Sequence, residues 1–314
     1  MNVIKLGKWF IRFVIFLVFI YLVLTAFEWT TFIRIGLELF RTPISIMVIF
    51  LAYYLSFLLK AYAWKLYFRG NISLTSSLYG IFYSLFINHL LPLKVGDVVR
   101  AMVLSNRETI TTEQSFHSVV VLRMLDIICL AMIAGLGMLY YQPVVSIPFY
   151  FYFILLLFGV GSVILVRFLF PHFFKRNVKL LMHAFSNLNG LVIFSFVLLS
   201  WILEGAVLFG VAMIVFEPLP AIGAIWVNSV TIIGQTFQFT PGGITTYEAI
   251  MTYMLTFLQI DAKEGLMLAL YSHALKFMFS YLVGLYVYFR YPLTMAQMKK
   301  WVQLKGVKKN EKRI

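Results

Sequence analysis

Apolar residues run along this chain in blocks, and six of the blocks, at roughly 9–27, 44–68, 115–140, 148–170, 190–216 and 265–289, are long enough to cross a bilayer as helices, which takes about 20 residues. Two further apolar segments, 74–104 and 221–258, are interrupted by Pro and Gly. Pro92 lacks an amide proton and disfavours helix at Leu91, and Gly96 loosens the backbone again. Thr240-Pro241-Gly242-Gly243 breaks the second segment in the same way. Lipid cannot satisfy backbone groups freed by such breaks, so both are expected to face protein or a water-filled cavity. The pattern predicts an all-α polytopic membrane protein of about six spanning helices plus two interrupted segments.

The charges between the blocks decide how the chain threads. Lys60, Lys65 and Arg69 flank the connection at 69–73, and Lys175, Arg176 and Lys179 lie in 171–189. The tail carries Lys299, Lys300, Lys305, Lys308, Lys309, Lys312 and Arg313. By contrast, 142–147 is uncharged and 217–220 has only Glu217. Cytoplasmic loops carry the excess of Lys and Arg, so the basic connections and both termini are expected in the cytoplasm of a plasma-membrane protein. The stretch 28–43 must then lie outside, although it carries Arg34 and Arg41 with Glu28 and Glu38. This threading requires 74–104 to dip in from the cytoplasm and return, and 221–258 to dip in from outside and return. Two re-entrant hairpins of opposite entry make an inverted repeat. Each break is followed by Gly and then a carboxylate, Asp97 or Glu248. About thirty residues past each proline comes a polar pair three apart, Arg123/Asp126 and His273/Lys276, and then small residues, Gly135-Leu136-Gly137 and Gly284-Leu285. Interrupted segments in matching positions point to a transporter's binding site.

Composition narrows the class. The chain is 62% hydrophobic and 12% charged, with a mean hydropathy of +0.91, where a soluble domain carries roughly 25% charged residues. One integral membrane domain over 1–290 and a basic cytoplasmic tail over 291–314 account for the length. Much of the net charge of +14 lies at the ends. There it serves as a topology signal and touches anionic lipid; no nucleic-acid partner is expected. The N-terminal Lys5, Lys8 and Arg12 resemble a signal peptide's charge, but no small-residue cleavage site precedes Glu28, so a retained first span is expected. The lone Cys129 excludes an intramolecular disulfide. His89, His117 and His273 lack metal-ligand spacing, and neither a Cys/His cluster nor a GxxxxGK[ST] motif occurs, so no metal, cofactor or ATP use is expected.

Charges inside apolar segments are costly, and they mark pathways or internal pairs. Arg123 and Asp126 share a helix face. Asp97 and Arg100 adjoin the first break. Glu248 lies less than two turns beyond the second, where a half-helix starting near Ile244 would aim its amide groups at an anion. Glu204 sits near the middle of 190–216, as a proton site or a partner of His273 or Lys276. Asn88, Asn228, Gln235 and Gln238 near the breaks are read as helix-to-helix hydrogen bonders.

The run Asn88…Leu91-Pro92…Gly96-Asp97…Arg100, the later Arg123-x-x-Asp126 and Pro241-Gly242-Gly243…Glu248 together resemble the transmembrane region of lysylphosphatidylglycerol synthases and its stand-alone relatives. The resemblance runs from about residue 10 to 290. In the bifunctional synthases this region looks like the flippase part and a cytosolic domain loads the amino acid; no counterpart of that domain is expected beside this chain's basic tail. Lys94 and Asp97 stand where Arg and Glu are expected, and His273 and Lys276 stand in place of a second Arg/Asp pair. The resemblance implies translocation of an anionic phospholipid or lipid-linked phosphate between leaflets, with no catalytic residue. Lys94, Arg100, Arg123 and Lys276 would hold the phosphate. Asp97, Asp126 and Glu248 would orient these bases, and His273 would join them at the substrate. Glu204, Asp97 and Glu248 are the candidate proton sites. A membrane-embedded transferase acting on a lipid carrier, or a non-catalytic partner of a synthase, is the alternative; a homodimer is left open.

Overall fold

The computed structural model describes residues 29–91, 95–141, 188–215, 219–235 and 241–293, with isolated positions between 157 and 182. The expected span at 9–27, residues Pro92 to Lys94, Thr240 and the basic tail lie outside the described residues, as does the span at 148–170 apart from isolated positions. The regular elements among the described residues are all helical. They belong to two units, Met1–Pro43 and Ile44–Ile314. In the first, α1 (Trp29–Arg41) is amphipathic, with Trp29, Ile33, Leu37 and Phe40 exposed and Ile35 and Leu39 buried.

The second unit contains α2 (Pro43–Tyr67), α3 (Leu74–Leu90), α4 (Gly96–Arg107), α5 (Thr112–Tyr141), α6 (Leu188–Glu204), α7 (Ala206–Val215), α8 (Ala221–Gly234), a 3-10 turn at Pro241–Gly243, α9 (Thr246–Thr256) and α10 (Ala262–Arg290). Helices α2, α5 and α10 have 25, 30 and 29 residues, and α6 and α7 form one apolar run, Asn189–Val215, of 27 residues broken at Gly205. Each of these four exceeds the roughly 20 residues that a bilayer requires. They match the expected blocks at 44–68, 115–140, 190–216 and 265–289. On α2, Ile44, Met47, Val48, Leu51 and Leu55 form an uncovered apolar stripe, the surface that acyl chains cover in a multi-pass membrane protein.

Each interrupted segment forms two short helices that fold back antiparallel. In the first, a Cβ on Gly96 would overlap Ser84, Gly80 lies against the Arg100 carbonyl, and Arg107 Nε donates to Ser76 Oγ at 3.0 Å. Ser73 Oγ donates to Glu108 at 2.7 Å, tying the two ends of the segment together. In the second, Gly234 lies against Ile250 and Gly223 against Leu258. The turn between α8 and α9 needs Gly242, which has φ +62° and no room for a Cβ beside Phe277.

The long helices then cross over. Helix α5 packs on α4 of its own segment and on α8 of the other, while α10 packs on α9 and on α3. Gly137 of α5 admits the Trp226 ring of α8; Gly284 of α10 admits the Phe86 ring of α3. Tyr83 bonds the Tyr291 carbonyl and His89 meets Phe277, so α3 and α10 run antiparallel. Since α10 is antiparallel to α9 and α9 to α8, the pair α3–α4 points opposite to the pair α8–α9. Arg123 and His273 are 150 positions apart, as are Asp126 and Lys276. The two short pairs thus share matched glycines and a crossed packing on the long helices.

Candidate functional site

The four long helices and both short pairs enclose a cavity of about 160 Å³. Its walls are apolar and aromatic, and its charges come from α2, α4, α5, α6 and α10. Buried charges need partners, and those partners divide the site into four groups.

Arg123 on α5 is held by two carboxylates. Its Nε lies 2.9 Å from both oxygens of Asp97, its Nη2 donates to Asp97 Oδ1 at 2.7 Å, and its Nη1 donates to Asp126 Oδ2 at 3.2 Å. Trp201 Nε1 donates to the other Asp126 oxygen at 3.0 Å. Asp97 therefore serves Arg123, across the α4–α5 contact, rather than Arg100 on its own helix.

Arg100 is 4% exposed and lines the cavity. Its guanidinium lies over the Trp64 ring at 4.2 Å, and its buried Nε has no hydrogen-bond partner. Asp97 and Asp126, expected to orient the phosphate-binding bases, both serve Arg123, and among the described residues Arg100 has no carboxylate partner.

Glu204 joins two ammonium groups. Lys276 Nζ donates to its Oε1 at 3.0 Å and also to Asn228 Oδ1 at 2.7 Å; Lys60 Nζ donates to its Oε2 at 3.4 Å. Lys60 also sits over the Trp201 ring at 3.3 Å. Sequence reasoning placed Lys60 with the loop charges at 69–73, but it is buried in the cavity wall. Its one signal was its place two turns inside the end of α2, whereas Lys65 lies in the last turn. Trp64, Trp201 and Tyr247 carried no signal distinguishing them from the general aromatic load.

His273 and Glu248 form the fourth group. His273 Nδ1 is 2.6 Å from Glu248 Oε1, and His273 Nε2 is 3.1 Å from the Gly242 carbonyl. The other Glu248 oxygen accepts the Thr245 N–H at 2.6 Å. Glu248 thus caps its own helix, and the amide end that the sequence offered to an anion is taken by this carboxylate. Asn88 accepts the Gly96 N–H at 2.9 Å and closes the start of α4 in the same manner. Gln235 Nε2 donates to the Gly242 carbonyl at 3.2 Å.

The fold thereby brings Arg100, Arg123, Asp126, His273 and Lys276 to one cavity, with Asp97 and Glu248 bonded directly behind Arg123 and His273. Lys94 lies outside the described residues. Among the described residues no cluster of metal-ligating side chains occurs.

A family model described as the lysylphosphatidylglycerol synthase TM region matches residues 9–284. No curated protein and no solved structure matches the chain.

Proposed function

The chain belongs to the lysylphosphatidylglycerol synthase transmembrane-region family, and we propose on that footing that it moves an anionic phospholipid or lipid-linked phosphate between bilayer leaflets. The observation that carries this reading is Arg100. A buried guanidinium facing a cavity without a carboxylate is costly to keep, and a phosphate headgroup supplies the missing anion bidentately. Lys60 and Lys276 share a single carboxylate, so that wall also favours an anion.

The short pairs fit re-entrant hairpins within a six-span threading. Helices α3, α4, α8 and α9 have 17, 12, 14 and 11 residues, and at 1.5 Å per residue each falls short of the roughly 30 Å hydrocarbon core. In this reading the headgroup occupies the cavity, the tails stay in the bilayer, and rocking one half against the other exposes the site to alternate faces. Arg100 binds the phosphate directly, with Lys60 and Lys276 beside it. Arg123, saturated by Asp97 and Asp126, lines the path.

The test is the full chain in vesicles carrying a fluorescent phosphatidylglycerol, with an impermeant quencher reading the outer leaflet. Accelerated leaflet exchange of unaltered lipid is expected, reduced at least tenfold in Arg100→Ala. Chemically changed lipid points instead to a transferase. Neither movement nor change, in a well-folded sample, overturns both activities.

A further inference from the structure

The contacts of His273 count protons. The Gly242 carbonyl can only accept, so the 3.1 Å contact requires a proton on Nε2. The 2.6 Å contact between Nδ1 and Glu248 Oε1 requires a second proton between two atoms that would otherwise repel as lone pairs. Either imidazolium donates to carboxylate, or a protonated Glu248 donates to Nδ1. In both forms the pair carries one proton more than a neutral imidazole beside a carboxylate, and its net charge is zero instead of −1. The equivalent pair in the first half, Asp97 with Arg123, cannot release its proton, because guanidinium stays charged. The two pairs therefore differ in one chemical respect: the base of the second is an imidazole, which can release its proton, and the base of the first is a guanidinium, which cannot.

The pair lies where that proton affects a bound anion. His273 lines the cavity that Arg100, Lys60 and Lys276 also line. With the proton on, the described charged groups of the cavity and those bonded behind them carry one excess positive charge, which matches one phosphodiester. With it off, the balance is zero. We propose, resting on the translocation reading above, that the cavity binds a monoanionic phosphodiester headgroup together with one proton held by Glu248 and His273. The proton enters with the anion from one aqueous face and leaves with it at the other, so no net charge crosses.

Other groups face the pair. Tyr247 of α9 stacks on the imidazole at 4.1 Å. His89 of α3 lies at 6.4 Å with its Nδ1 donating to the Leu85 carbonyl at 2.8 Å. Lys276 follows one turn along α10, with Glu204 and then Lys60 behind it. On α2, Tyr53 faces Lys276 at 5.8 Å. Helix α7 brings no titratable side chain, and α8 brings Asn228 as the partner of Lys276. His89 is thus the competitor to separate.

The experiment measures affinity of the full chain in micelles for dioctanoyl phosphatidylglycerol between pH 5.5 and 8.5. Binding heats in buffers of different ionisation enthalpy count the protons taken up. Affinity should fall up to tenfold per pH unit above the titration of the pair, with up to one proton taken up per lipid bound. Glu248→Gln should keep the low-pH affinity at every pH, because its amide donates to Nδ1 while its carbonyl accepts the Thr245 N–H. Its leaflet exchange should nevertheless be slow, since the proton cannot leave. His273→Gln should bind weakly and without pH dependence. Lipid binding that is flat with pH in the parent, with no proton uptake, overturns the proposal and leaves translocation standing. Loss of the slope in His89→Gln places the proton on the wrong residue and also overturns it. No binding at any pH removes the headgroup reading itself, and this inference with it.

Discussion

Arg100 and Arg123 occupy the same cavity wall with opposite local chemistry, and that difference separates stability from binding. Arg123→Ala leaves Asp97 and Asp126 facing each other without their cation, and Asp126 is nearly buried. Removing one member of a buried pair costs about 3–5 kcal/mol. The Arg123 side chain is 39% exposed, so the lower end, about 3 kcal/mol, is expected as a lowered unfolding midpoint in micelles. Arg100→Ala gives up stacking on Trp64, worth about 0.5–2 kcal/mol, but also removes an unpaired buried charge. Its midpoint should therefore stay near the parent's while phosphatidylglycerol binding falls at least tenfold. A large loss of stability in Arg100→Ala together with normal lipid binding would make Arg100 structural. Both arginines were legible in the sequence as charges in apolar surroundings, and so was the Arg123/Asp126 pair on one helix face. The partner of Asp97 was not. Spacing along a helix favoured Arg100, three residues away, whereas the fold-back of α4 onto α5 delivers Asp97 to Arg123, 26 residues away.

At the level of elements, breakers and apolar runs announced most of what is seen. Pro, Gly and the carboxylate after each break marked segments that indeed fold back on themselves, because backbone freed by a break must find partners within the protein. What no local pattern reveals is the crossed packing of α5 on α8 and of α10 on α3. The small residues Gly137 and Gly284 were visible, but the rings that need them, Trp226 and Phe86, lie 89 and 198 residues away. Lys60 was misassigned for a related reason: a lysine near the end of a span reads as a flanking charge until its carboxylate, 144 residues on, is known. The crossed packing is testable with three substitutions. Gly137→Leu and Gly284→Leu place side chains where the Trp226 and Phe86 rings sit, and overpacking of this kind costs about 1–3 kcal/mol. At Gly135, two residues from Gly137, the Cβ that Gly135→Leu adds meets no atom within 4 Å. It gains helix propensity of about 1 kcal/mol over Gly, so its unfolding midpoint should hold or rise. Equal losses at Gly135 and Gly137 would show that the glycines serve the helix rather than the crossing.

For the whole molecule, the decisive matter is whether each short pair crosses the bilayer or returns to its side of entry. The geometry bears on this through the ends of the pairs. Ser73 and Glu108 are joined by hydrogen bonds of 2.7 and 3.1 Å, so the chain enters and leaves α3–α4 at one place. Gly223 and Leu258 meet likewise at the ends of α8–α9. In the proposed threading neither pair then adds a net crossing, and α2 and α5 are consecutive spans despite the residues between them. The charge count agrees even with Lys60 withdrawn to the cavity, since Lys65 and Arg69 still mark the connection after α2 as basic. With the proposed spans at 9–27 and 148–170 added, the number is even, and the proposed threading puts both termini in the cytoplasm. Single cysteines introduced at Gln142 and Pro218, in a chain whose Cys129 has been replaced, should then react with an impermeant thiol reagent added outside intact cells. Cysteines at Lys175 and Lys308 should react only after permeabilisation. The pair at Gln142 and Lys175 tests the crossing between them, while Lys175 and Pro218 test the run of α6 and α7. Labelling of Lys175 from outside would mean that 148–170 does not cross, if Gln142 is labelled too, or that the first short pair adds a crossing, against the contact between Ser73 and Glu108. The opposite entry of the two pairs, and alternation between faces by rocking one half on the other, would fall with it.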